Sequence, residues 1–129
     1  MSKVVLDASA LIAFLKGEDG ASSVKRLLPT STMSAVNLAE VASTFIHGGM
    51  PAEEVEVALR ELPIRIVSLD DDQAFQTAAL RPFTADKGLS LGDRCCLALA
   101  RSLSLPALTC DKAWAGLAPD VGVDVKLAR

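Results

Sequence analysis

Four acidic residues, Asp7, Glu40, Asp93 and Asp111, are spread along a 129-residue chain at positions that a parallel α/β fold would bring to one edge. Carboxylates gathered in one pocket repel each other strongly unless a cation neutralises them. Mg2+ and Mn2+ are hard ions that take carboxylate and water oxygens. An ion held this way activates a bound water and stabilises charge on a phosphoryl oxygen, which is the chemistry of phosphodiester hydrolysis. Each acid also has a plain structural use, because Asp is a favoured helix N-cap and first-turn acids complement the helix dipole. The chemistry therefore rests on convergence, and convergence rests on the elements between the acids.

Val4-Val5-Leu6 is short, apolar and β-branched, as expected of a buried parallel strand. Asp7 follows at once, and helical spacing runs from Ala8 to Leu15 until Gly17 stops it. A second short helix spans Ala21 to Leu28, ended by Pro29, and the stretch from Thr30 to Met33 holds a second strand. Ser34 caps a helix from Ala35 to Ile46, closed by Gly48 and Gly49. On that helix Asn37, Glu40, Thr44 and His47 form a polar line apart from the apolar stripe. His47 falls in the last turn, where a cation suits the dipole.

Pro51, Glu53 and Glu54 mark the start of a helix reaching Leu62, and Ile64 to Leu69 reads as a third strand. Asp70, Asp71 and Asp72 look tempting as a metal site, but adjacent acids at a helix start point apart and serve the dipole. The helix they open runs from Asp71 to Phe83, ending near Pro82. Ser90 with Asp93 three residues on has the form of a capping box for a helix from Leu91 to Leu103. Beyond Pro106, Ala107 to Cys110 is a fourth strand. Asp111 then opens a short turn or helix with Lys112, Ala113 and Trp114, and Val121 to Leu127 supplies an edge strand.

Strands alternating with helices predict a mostly parallel central sheet of four to five strands with helices on both faces, a three-layer α/β/α domain. Asp7 and Asp111 end strands at the carboxyl edge, where ligands bind in such sheets. The helix before the fourth strand runs antiparallel to it, so its N-terminus and Asp93 lie at the same edge. Glu40 sits mid-helix and reaches that edge only if its helix leans over it. Ser9 and Thr109 each lie two residues from a candidate ligand and could orient carboxylates or waters. Lys16, Arg94 and Lys112 are basic residues that could contact phosphate near the edge.

These stretches carry a family resemblance. V-L-D-A-S-A-L with Asp7 and Ser9, S-A-V-N-L-A-E-V with Asn37 and Glu40, L-S-L-G-D-R-C-C-L-A-L-A with Asp93, and L-T-C-D-K-A-W with Asp111 resemble the four acidic motifs of the PIN domain. More narrowly, the chain is similar to VapC-type toxins of toxin–antitoxin pairs. The resemblance covers nearly the whole chain in order, and implies a single PIN-like domain over residues 1–129. It implies a metal-dependent endoribonuclease in which Asp7, Glu40, Asp93 and Asp111 bind one or two Mg2+ or Mn2+ ions. Water would attack the RNA phosphodiester, leaving a 5′-phosphate and a 3′-hydroxyl. It also implies a homodimer silenced by a small antitoxin protein that places an arginine or another group at the acids. A PIN-like nuclease of RNA processing outside such a pair is an alternative. A haloacid-dehalogenase-like phosphatase also has an Asp after its first strand, but carries a second acid where this chain has Ser9.

Composition sets the remaining bounds. Half the residues are hydrophobic and mean hydropathy is positive, which excludes disorder. A net charge of −3 is unusual for a nucleic-acid binder, unless several acids are committed to a metal. Cys95, Cys96 and Cys110 form no CxxC and there is one histidine, so the common zinc spacings are excluded. Three cysteines fit small buried hydrophobes in a reducing cytoplasm. No apolar run approaches membrane-spanning length, and Asp7 interrupts the N-terminal stretch that could pass for a signal peptide.

Overall fold

A computed structural model describes residues 1–129, apart from the side chain of Ala118. In chain order the elements are β1 (Val4–Leu6), α1 (Ala8–Lys16), α2 (Ala21–Leu27), β2 (Ser31–Ser34), α3 (Ala35–His47), α4 (Ala52–Arg60) and β3 (Ile64–Val67). There follow α5 (Asp71–Ala79), α6 (Arg81–Thr84), α7 (Leu91–Leu103), β4 (Ala107–Thr109), α8 (Ala118–Val121) and β5 (Val125–Leu127). Single 3-10 turns at Leu28–Thr30, Ala85–Lys87 and Lys112–Trp114 complete the list of elements.

The five strands form one sheet in the order β3-β2-β1-β4-β5. Every pairing is parallel; Val5 lies opposite Thr32 of β2 and Ala107 of β4. The chain builds outward from β1 to β2 and β3, then returns to lay β4 and β5 on the other side. The order therefore reverses between β1 and β4, and such a reversal opens a crevice at the carboxyl ends of the strands.

The period of two along β1 separates two cores. Val4 and Leu6 join Leu11, Val24, Met33 and Val41 on one face, beneath α1, α2 and α3. Val5 joins Leu97, Leu99, Ala107, Trp114 and Leu117 on the other, beneath α7 and the chain after β4. Helices thus cover both faces, the three-layer arrangement expected of a parallel sheet.

The boundaries differ from the sequence reading in a few places. The helix expected from Asp71 to Phe83 is two helices, α5 and α6. Pro82 cannot donate into a continuing helix, yet is tolerated in the first turn of a new one. The third strand stops at Val67 and the fourth at Thr109, both short of expectation. The last stretch is also divided: Val121 ends α8, and only Val125–Leu127 forms the edge strand. The three adjacent acids open α5 as an ordinary helix start, with Asp70 accepting from the Gln73 N–H at 2.8 Å.

Leu97 is fully buried against the face that carries Trp114, the single tryptophan. Truncation to alanine at such a site costs about 2–5 kcal/mol. Leu97→Ala is therefore expected to lower the unfolding free energy by that much, read as a lower denaturant midpoint in Trp114 fluorescence.

Candidate metal and active site

Asp7 is the first residue past β1, and its N–H donates to the Leu108 carbonyl of β4 at 2.9 Å, extending the β1–β4 pairing by one step. It occupies the N-cap position of α1 but makes no side-chain capping bond. Its Oδ2 instead accepts from the Ser9 hydroxyl at 2.7 Å and from the Thr109 hydroxyl at 2.9 Å. The capping role that its position suggests is thus not the one it fills.

The two hydroxyls are themselves fixed. Ser9 Oγ accepts from the Cys110 N–H at 3.0 Å, and Thr109 Oγ1 accepts from the Asp111 N–H at 3.0 Å. Thr109 therefore ties Asp111 to Asp7 across the gap between the two central strands. Asp111 is exposed, and its Oδ1 accepts from the Ala113 N–H at 2.9 Å, closing the turn that follows β4. Trp114, buried in that turn, anchors it to the core.

Asp93 forms the capping box read from the sequence. Its Oδ2 accepts from the Ser90 N–H at 2.9 Å, while its own N–H donates to Ser90 Oγ at 3.2 Å. Glu40 reaches the same helix start because α3 packs across α7. Asn37 is fully buried and donates from Nδ2 both to Glu40 Oε1 at 2.8 Å and to the Gly92 carbonyl at 3.0 Å. The first half of the polar line on α3 is therefore an internal contact with α7, whereas His47 at its end is exposed.

Electrostatics link three of these acids. Burial pushes the Asp7 carboxyl up from the ordinary 3.8 to about 6; the Ser9 and Thr109 hydrogen bonds oppose the rise and the charge of Asp93 adds to it. The buried Cys96 thiol is pushed well up, first by burial and then by Asp7, Asp93, Cys95 and Glu40. Asp7 is only 3% exposed, yet no lysine or arginine pairs with it. Among the described residues the ion pairs are Arg60 with Glu56 and Arg129 with Glu18, so all four candidate acids are without a cationic partner.

The donor set suits a hard cation. Asp7, Asp93 and Asp111 each commit one oxygen to the bonds above, and Glu40 commits Oε1, which leaves a second oxygen on each outside them. The Asn37 Oδ1 is a buried acceptor with no partner. As they stand, no three His, Cys, Asp or Glu side chains among the described residues are gathered into a cage for a metal.

Two basic residues do not lie where the sequence reading put them. Arg94 is buried, its Nη1 donating to the Leu89 carbonyl at 3.1 Å and its Nε without a partner. Adjacent residues on a helix point apart, so Asp93 at the edge turns Arg94 inward, out of reach of a phosphate in this conformation. Lys16 closes α1, about 12 Å along the axis from its start, with its ammonium 5.9 Å from the Phe45 ring centroid. It therefore belongs to the opposite end of the helix from Asp7. Lys112 is exposed directly after Asp111. A residue that the sequence reading passed over is Gly92, buried one position before Asp93 against the Glu40 carboxylate. Its signal was available: glycine inside a helix is unfavourable unless space demands it. A groove of about 610 Å³ between α3, α4 and β3 includes none of the four acids.

A parallel sheet bearing carboxylates at its switch point defines an α/β domain with an acid-lined edge, the place where ligands bind in such sheets. The sequence matches the PIN domain over residues 4–118, and the chain belongs to the PIN domain family. A VapC ribonuclease of Mycobacterium bovis and the ribonuclease VapC42 of Mycobacterium tuberculosis are each 33% identical to it, over 81% of this chain and 88% of theirs. The fold is shared with a toxin–antitoxin complex from Klebsiella pneumoniae (TM-score 0.75, 22% identity, 98% of both chains). It is also shared with a DNA-bound VapBC from Salmonella typhimurium (TM-score 0.72, 18% identity, 100% of both chains). Family membership removes the haloacid-dehalogenase alternative.

The rise at Asp7 has a consequence for folding. From about pH 4 to about pH 6 the unfolded chain has released this proton and the folded protein has kept it, so metal-free stability falls as pH rises through that window. The full rise corresponds to about 3 kcal/mol above it. Asp7→Asn keeps an acceptor for both hydroxyls and removes the charge. In EDTA at neutral pH it is expected to melt above the wild type, with the difference vanishing as pH approaches 4.

Proposed function

We propose that this protein is a divalent-metal-dependent endoribonuclease acting as the toxin of a toxin–antitoxin pair. The observation that carries the reading is the enclosed Asp7 carboxylate at the switch point, without a cationic partner and tied through Thr109 to Asp111. The named VapC relatives, with identity over most of both chains, support the same reaction class.

Asp7, Glu40, Asp93 and Asp111 would hold one or two Mg2+ or Mn2+ ions. The metal, when bound, lowers the pKa of a coordinated water and offsets charge on the scissile phosphate. Ser9 and Thr109 hold the Asp7 carboxylate in one orientation, and Asn37 does the same for Glu40. Lys112 is the basic residue best placed to meet the RNA backbone. Cleavage would leave a 5′-phosphate and a 3′-hydroxyl. The complexes of the Klebsiella and Salmonella structures support a small antitoxin as partner. We place the toxin in the cytoplasm as a homodimer. No helix among the described residues is long and apolar enough to cross a membrane.

With total RNA as substrate, the purified chain is expected to cleave in Mn2+ or Mg2+ and to stop in EDTA. Outer-shell changes cost about 10–100-fold at metal sites, so Asp7→Asn, at a direct ligand, should lose at least about a hundredfold in rate. Undiminished metal-dependent cleavage by a folded Asp7→Asn protein would refute the assignment. Lys112→Ala is expected to weaken RNA binding modestly and to leave Mn2+ binding unchanged, as filter binding and calorimetry would read.

A further inference from the structure

Gly92 is the second residue of α7, between Leu91 and Asp93, and it is buried. Glycine has no side chain to contribute at this first-turn position, and its backbone loses more freedom on folding than alanine's would. No left-handed backbone demands it; the glycines at positive φ are elsewhere. What the missing side chain supplies is space. A Cβ at Gly92 would lie 2.6 Å from both Cδ and Oε2 of Glu40, and closer still to Oε1. The Gly92 carbonyl also accepts from Asn37 Nδ2, the same nitrogen that holds Glu40 Oε1. The bare Cα and its carbonyl thus form one wall of the seat in which the Glu40 carboxylate rests. That seat is the first turn of a 13-residue helix, where negative charge is favoured.

We propose that Gly92 is a positioning residue, whose lack of a side chain sets the Glu40 carboxylate beside Asp93 and so sets the affinity of the acidic site for its divalent ion. This rests on the metal-dependent reading above. A mid-helix acid on α3 reaches the carboxyl edge only by lying flush on α7, and any Cβ at position 92 closes that approach. The obstruction falls on the end of a flexible side chain and not on backbone, so the carboxylate moves and the fold survives.

The test is Gly92→Ala, with Mn2+ affinity by calorimetry, thermal melting in EDTA, and RNA cleavage. Melting should be unchanged or raised. Mn2+ affinity should fall by about tenfold or more, in the range of altered ligand support, with cleavage lost at limiting Mn2+ and partly restored at saturation. Gly92→Ala combined with Glu40→Asp withdraws the carboxylate by one methylene and should bind Mn2+ more tightly than Gly92→Ala alone. Wild-type Mn2+ affinity in Gly92→Ala overturns the proposal and leaves the metal reading standing. A wild-type chain that binds no Mn2+ overturns both. If Gly92→Ala fails to fold, the double variant decides. Its folding and binding Mn2+ would support the seat; its failure to fold would show that Gly92 packs against something other than the carboxylate, and would overturn it.

Discussion

The structure depends on one costly feature, a carboxylate enclosed at the centre of the sheet and held only by neutral donors. Asp7 is removed from water by β1, β4 and α1, and its two close partners are hydroxyls. Hydroxyl donors orient an anion but do not cancel its charge, so burial raises the proton affinity in spite of them. Asp7 thus lowers the stability of the metal-free fold at neutral pH, and groups perturbed by burial in this way cluster at functional sites.

The fold makes that enclosure possible. β1 lies in the middle of five parallel strands, with a separate apolar core on each face. Its end is therefore packed on both faces and flanked by β2 and β4, and the strand order reverses beside it. The other acids arrive by different routes. Asp111 comes from the neighbouring strand, with Thr109 as the tie. Asp93 comes from the start of an antiparallel helix, fixed by its box with Ser90. Glu40 comes from the side, because α3 crosses α7 closely enough for its carboxylate to rest against Gly92. Four separate pieces of chain, each stable for its own local reasons, thus supply like charges to one edge.

Much of this was legible in the primary structure. The strand ends at Asp7 and Asp111, the box at Ser90 and Asp93 and the polar line on α3 follow from periodicity and capping chemistry, which act over a few residues. The placement of Lys16 and Arg94 was not. Lys16 is close to Asp7 in sequence, yet a helix carries its two ends apart. Arg94 is the neighbour of Asp93, yet successive helical positions face different ways, and its guanidinium is buried beside Leu89. The division of the helix at Pro82 was half seen, with the proline recognised as an end but not as a new beginning.

By itself the sequence determined the alternation of elements, the parallel sheet and the placing of Asp7, Asp93 and Asp111 at element ends, since hydrophobic period, caps and breakers are local properties of the chain. Tertiary structure decided that Asp7 is buried without a countercharge, that its carboxylate accepts from the Ser9 and Thr109 hydroxyls, and that Glu40 is seated on a glycine fifty-two residues away. Those outcomes depend on desolvation and on the closeness of backbones, and both exist only once distant segments have packed together.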